Sequence, residues 1–158
     1  MARKLSSAER VEQALDHLGV SSRIKELPKS TRTAQEAAQA VGCQVDQIVK
    51  SLVFKTRGSN RPILIMTSGA NQVDEQAVSD IIGEKIQFAS PSFVRDKTGF
   101  AIGGVSPVGH TREIATYIDR DLLAFPTIWA AAGTPHAVFQ ITPDELIQAT
   151  GGQVIPVS

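Results

Sequence analysis

Gln47-Ile48-Val49-Lys50-Ser51-Leu52-Val53-Phe54-Lys55, the turn Gly58-Ser59-Asn60 and the run Pro62-Ile63-Leu64-Ile65-Met66 decide how this chain folds. The first segment is rich in β-branched and aromatic residues. A strand there puts Ile48, Lys50, Leu52 and Phe54 on one face and Val49, Ser51 and Val53 on the other. The segment after Pro62 is continuously apolar, which suits a strand covered on both faces and marks the centre of a sheet. Lys50 is the misfit: its ammonium either snorkels past its apolar neighbours to solvent or projects into a cavity where it meets an anion. Lys55, Arg57 and Arg61 make the hairpin basic, as a solvated turn or as a local contact for phosphates.

Upstream of the hairpin, Ser7 is placed to cap a helix carrying Val11, Leu15 and Leu18 on one stripe and ending at Gly19. Ser22 to Leu27 reads as a short strand stopped by Pro28. Thr33 with Glu36 signals a helix start, and the Ala-rich stretch from Ala34 to Val41 closes at Gly42. Downstream, Val73, Ala77 and Ile81 recur at helical spacing before Gly83, and Ile86 to Ala89 is a strand. Ser90-Pro91 then opens a two-turn helix running to Gly99. Ile114–Ile118, Thr127–Ala132 and Ala137–Ile141 read as strands, Thr142-Pro143-Asp144-Glu145 starts a last helix, and Val154-Ile155 closes the sheet. With no repeat, linker or low-complexity tract, residues 1–158 are expected to form one α+β domain, helices surrounding a mixed, mainly antiparallel sheet.

Composition narrows the function. Lys plus Arg and Asp plus Glu both number 16, so the chain has no net charge and cannot grip nucleic acid by bulk electrostatics; any such contact is local. The single Cys43 excludes an internal disulfide and reads as a packing residue in a reducing compartment. No twenty-residue apolar run or signal-like segment occurs, so the expected location is cytoplasmic, away from membranes. There is no Gly-x-Ser-x-Gly elbow, His-Glu-x-x-His, Cys-x-x-Cys or Walker loop, and His17, His110 and His136 are not spaced as metal ligands. His110 and His136 each stand either as pocket-lining groups or as ordinary loop histidines.

One further stretch is chemically suggestive: Gly99-Phe100-Ala101-Ile102-Gly103-Gly104-Val105-Ser106-Pro107-Val108-Gly109-His110. Gly103 and Gly104 can leave backbone N–H groups uncovered and Pro107 fixes its own φ. The loop is therefore either a connector shaped by turn geometry or a preorganised set of donors for an oxyanion.

Ile48-Val49-Lys50-Ser51-Leu52-Val53-Phe54, Thr98 to Gly109, and Ala131-Ala132-Gly133 with Ile141-Thr142-Pro143-Asp144-Glu145-Leu146 together resemble the successive signatures of the YbaK/ProX-type aminoacyl-tRNA deacylases. That family includes the editing domain of bacterial prolyl-tRNA synthetases, and the resemblance runs from about Ser7 to Ile155. It implies hydrolysis, in trans, of the ester linking a mischarged amino acid to the 3′-terminal adenosine of tRNA. An aminoacyl-tRNA synthetase would be a further partner. The implied site has Lys50, Gly103 and Gly104 at the reacting ester. Ser51, Val105, Ser106, Pro107, Ala132, Gly133 and His136 surround the substrate, and no metal or organic cofactor is needed. An aminoacyl ester is already activated, so a positioned water and oxyanion donors can hydrolyse it without a protein nucleophile. The alternative is a module that binds aminoacyl-tRNA or a nucleotide without turnover. Two departures concern the amino-acid pocket. Arg23-Ile24-Lys25-Glu26 offers no aromatic hydroxyl, and Ala131 to His136 replaces the commoner Ser-Gly-Gly-Lys-Arg-Gly type. The expected amino acid is small, because small apolar side chains are those that synthetases discriminate worst by binding.

Overall fold

A computed structural model of the chain describes residues 5–19, 24–28, 31, 33–111 and 113–158. The expected hairpin is its centre. Strands β2 (Val49–Thr56) and β3 (Pro62–Ser68) pair antiparallel with Lys50 opposite Thr67 and Phe54 opposite Ile63. Around the strand β1 (Ile24–Glu26), the expected Ser22 and Arg23 lie outside the described residues. Strand β4 (Ile86–Phe88) adds to the outer edge of β2, and β5 (Ala115–Asp119) and β8 (Gln153–Ile155) extend the other side in parallel, giving the order β4-β2-β3-β5-β8.

Where one sheet was expected there are two. Strands β6 (Ile128–Ala131) and β7 (Ala137–Ile141) form an antiparallel hairpin that pairs with β1, in the order β1-β7-β6. Among the described residues a bridge between Ile48 and Trp129 joins this hairpin to the first sheet, and its Ile128, Ala130 and Phe139 pack against Val49 and Val53. Residues of both sheets line the cavity described below. The architecture is nevertheless α+β, with most pairings antiparallel.

The helices are fixed by local chemistry. Helix α1 (Ser7–His17) is capped by Ser6, not Ser7, because Glu9 stands three residues after Ser6 and completes a capping box with it. Helices α2 (Ala34–Val41), α3 (Glu75–Ile82), α4 (Pro91–Thr98) and α5 (Pro143–Thr150) start on the caps Thr33, Asp74, Ser90 and Thr142. Each such cap contributes about 1 kcal/mol. Alternation along β2 works as the sequence implies: Val49 and Val53 enter a core shared with α1 and β7, while Phe54 enters a second core with Val78 of α3. Among the described residues no helix is long and apolar enough to cross a membrane.

Candidate active site

The cavity between the sheets has a volume of about 820 Å³, and its walls include Lys50, Ser51, Gly103, Val105, Trp129 and Ala131. Two segments about fifty residues apart, carrying Lys50 and Gly103, thus line one hollow. Val49, Val53 and Val138 give it an apolar floor.

Lys50 is half-buried in this wall. Its Nζ donates to the carbonyl oxygen of Asn71 at 2.5 Å. Asn71 Nδ2 in turn donates to Asp119 Oδ2 at 2.8 Å, and Asp119, only 1% exposed, also accepts from the Ser68 backbone at 3.0 Å. Burial lowers the Lys50 pKa from its usual value, and the Asp119 carboxylate raises it in part. Beside Lys50, the Ser51 hydroxyl is buried in the cavity wall without a hydrogen-bond partner among the described residues. A buried polar atom left unsatisfied costs stability, so its persistence at a cavity suits a ligand that would engage it.

The glycine loop is shaped by two different constraints. Gly103 has φ +91° with open space where a Cβ would stand, so only its backbone conformation demands glycine. A Cβ on Gly104 would lie 2.8 Å from Thr134 Cα and 3.0 Å from Gly133 O, so glycine there lets two loop backbones touch. The Gly104 N–H donates to Ala101 O at 3.0 Å and is therefore not an uncovered donor, contrary to expectation. Among the described residues the N–H groups of Gly103, Val105 and Ser106 have no hydrogen-bond acceptor.

The loop is clamped from beneath. Arg10 of α1 donates to Gly99 O at 2.5 Å and to Gly109 O at 3.4 Å, and its guanidinium lies 4.7 Å from the centroid of the buried Phe100 ring. His110 meets the same ring edge-on at 5.3 Å, and its Nε2 lies 2.6 Å from Ser106 O. A carbonyl can only accept, so Nε2 carries the proton. Nδ1 is left buried without a partner among the described residues. Burial lowers the His110 pKa, the bond to Ser106 O opposes this, and the Arg10 charge adds to the lowering.

The remaining expected residues are not at the cavity surface. Ser106 and Ala132 are wholly buried, and Gly104 and Gly133 support the loop from behind. Pro107 and His110 line a different cavity of about 970 Å³ on the far side of the loop, which contains neither Lys50 nor Gly103. His136 is exposed and lines neither cavity; its carbonyl oxygen accepts from Leu27 N at 2.7 Å. The adjacent Ala131 takes the wall position that had been expected of Ala132. Arg10, Asn71 and Asp119 escaped the sequence reading: an arginine on an amphipathic helix and an acid after a strand look like ordinary surface residues until the tertiary fold is known.

Residues 28–149 match the sequence model of the aminoacyl-tRNA editing domain. The chain is 32% identical over 131 residues to the uncharacterized protein YwhH of Bacillus subtilis, covering 83% of each. It is 34% identical over 120 residues to a proline–tRNA ligase of Bacillus licheniformis, which is 73% of this chain but 20% of the ligase. A crystal structure of a candidate trans-editing enzyme for prolyl-tRNA synthetase superposes with a TM-score of 0.90 at 49% identity, covering 98% of this chain and 99% of that one.

Proposed function

Because the chain belongs to the aminoacyl-tRNA editing-domain family, we propose that it is a deacylase that hydrolyses, in trans, the ester of a mischarged aminoacyl-tRNA. The observation that carries this reading is the common cavity of Lys50 and Gly103. The substrate's terminal adenosine and its aminoacyl group enter this hollow, whose volume of about 820 Å³ suits a small-molecule-sized moiety. The amides of Gly103 and Val105 donate to the ester carbonyl oxygen as it becomes an oxyanion, the step for which fixed donors matter most. A water attacks the carbonyl carbon, the bond to the ribose oxygen breaks, and that departing oxygen takes up the proton the water loses and leaves as the ribose hydroxyl. Lys50 holds the negative charge of the terminal phosphate or the ester region. Its bond to Asn71 O keeps the ammonium in place before substrate arrives. The unpartnered Ser51 hydroxyl engages a polar group of the substrate. The apolar, small-residue lining at Val49, Ala131 and Val138 favours a small amino acid. A synthetase that mischarges tRNA supplies the substrate.

The experiment is release of labelled amino acid from a panel of mischarged tRNAs by the wild type and by Lys50→Ala. Rapid release of one amino acid, lost in the folded variant, supports the reading. A second reading, binding without turnover, is favoured by the engagement of Lys50 with Asn71 O, which leaves the ammonium already satisfied in part. Stoichiometric binding with no release would select it.

A further inference from the structure

The turn that ends β3 carries the partner of Lys50, and it is pinned from two sides. Asn71 N donates to Ser68 O at 2.9 Å, which closes the turn, and Gly69 N donates to Ile48 O at 2.8 Å. A Cβ on Gly69 would stand 2.3 Å from Val45 O and 2.9 Å from Ala34 Cβ, so the turn lies directly against the short helical segment Val45–Gln47 and against α2. Gly69 and Ala70 line the same hollow as Lys50.

The other side is held by Asp119, the last residue of β5. This carboxylate is 1% exposed, and its Oδ2 accepts from Ser68 N at 3.0 Å and from Asn71 Nδ2 at 2.8 Å. Its Oδ1 accepts from Asp121 N at 3.0 Å. These donors are all neutral amides. Hydrogen bonds alone do not require a charge here, since a neutral amide or hydroxyl oxygen also accepts from N–H groups. A buried carboxylate is costly unless a cation offsets it. Among the described residues the cation on which this charge acts is Lys50, whose protonated form it favours against the cost of burial. Two other acids adjoin the turn. Asp121 is exposed, and its Oδ2 accepts from Asn71 Nδ2 at 2.8 Å; Asp46 offers its backbone oxygen to Ser68 Oγ at 2.7 Å. Neither is buried as Asp119 is.

We propose that Asp119 is a positioning residue of the Lys50 site: acting through Asn71, it fixes where the ammonium stands in the cavity and offsets its charge. The contacts run from Asp119 Oδ2 to Asn71 Nδ2, and from Asn71 O to Lys50 Nζ. The inference rests on the deacylase reading for what the ammonium does to a substrate, but the placement is measured without one. The experiment is NMR titration of the Lys50 side chain in the substrate-free protein, its signal assigned by absence in Lys50→Met. In Asp119→Asn the Lys50 midpoint moves to lower pH, and by more than in Asp121→Asn. Asn71→Ala keeps the carbonyl but cuts its tie to Asp119, and the Lys50 ammonium protons then exchange with water faster than in the wild type. Single-turnover deacylation falls in both Asp119→Asn and Asn71→Ala, by up to about a hundredfold for a displacement on the order of 1 Å. A purely structural Asp119 would lower the melting temperature and leave the Lys50 midpoint in place. That result, or a midpoint shift no larger than Asp121→Asn produces, would overturn the proposal. If Asp119→Asn does not fold, Asn71→Ala decides, and wild-type exchange of its Lys50 ammonium would overturn it. A midpoint and exchange rate that move as stated, in a protein that releases no amino acid from mischarged tRNA, would refute the deacylase reading alone.

Discussion

Lys50 Nζ donates to the backbone carbonyl of Asn71 at 2.5 Å. That bond ties the cavity wall to the segment after β3, whose side-chain amide reaches the buried Asp119. Lys50→Met, of similar length but uncharged, leaves the Asn71 oxygen without this donor and removes the cation. Such a variant is expected to fold and to lose about a hundredfold or more in single-turnover deacylation, the scale typical of removing one charge-stabilising group. Thermal melting alongside the rate assay separates the two effects.

The two loop glycines answer to different forces, and alanine distinguishes them. Gly103→Ala meets open space but must hold φ near +91°, a strain of about 1–2 kcal/mol. Gly104→Ala instead drives a methyl against Thr134 Cα and Gly133 O, backbone atoms that cannot rotate away. Its effect is a displaced loop. The expected outcome is that Gly104→Ala shifts the amide resonances of residues 131–135 in an NMR spectrum, whereas Gly103→Ala leaves them in place. Identical shifts for the two variants would contradict this account of the loop.

His110 makes the fold sensitive to acid. Its folded-state pKa is lowered, so between that value and the ordinary imidazole value near 6.5 the unfolded chain binds more protons than the native one. Stability therefore rises with pH through this window and is lost as pH falls below about 6.5. Protonation would place an N–H on the buried, partnerless Nδ1 and a second charge near Arg10. His110→Gln can retain a donor to Ser106 O and does not titrate. Urea midpoints measured from pH 5 to 7 should slope upward in the wild type and more weakly in this variant.

Arg10 clamps both ends of the glycine loop, at Gly99 O and Gly109 O, and covers Phe100. Arg10→Met keeps a long apolar stem and removes the charged donors, a loss of about 2 kcal/mol. Hydrogen exchange of amides 99–109 is expected to accelerate beyond that of β2 and β3. Uniform acceleration across the protein would mean that the clamp acts only on global stability.

Much of this arrangement is legible in the residues themselves. The β2–β3 hairpin follows from its alternation and apolar run, and Ser90-Pro91 and Thr142-Pro143 start helices where caps and proline dictate. The Ser6–Glu9 capping box was equally legible, and spacing from Glu9 distinguishes Ser6 from Ser7. Lys50 and Gly103 stood out because a lysine among strand apolars and paired glycines in a loop are each locally costly. What could not be read depends on distant contacts. The division into two sheets rests on the pairing of β1 with β7, more than a hundred residues later. Ala131 rather than Ala132 lines the cavity because β6 ends at Ala131, and no side chain in an Ala-Ala-Gly run marks that end.

The most direct test is single-turnover hydrolysis of tRNA charged with a small non-cognate amino acid, comparing wild type, Lys50→Met and Gly103→Ala at equal folded concentration. Rapid release by the wild type and a collapse in both variants is the predicted result. Wild-type release matched by either folded variant would contradict a site in which the Lys50 cation and the Gly103 amide act on one ester.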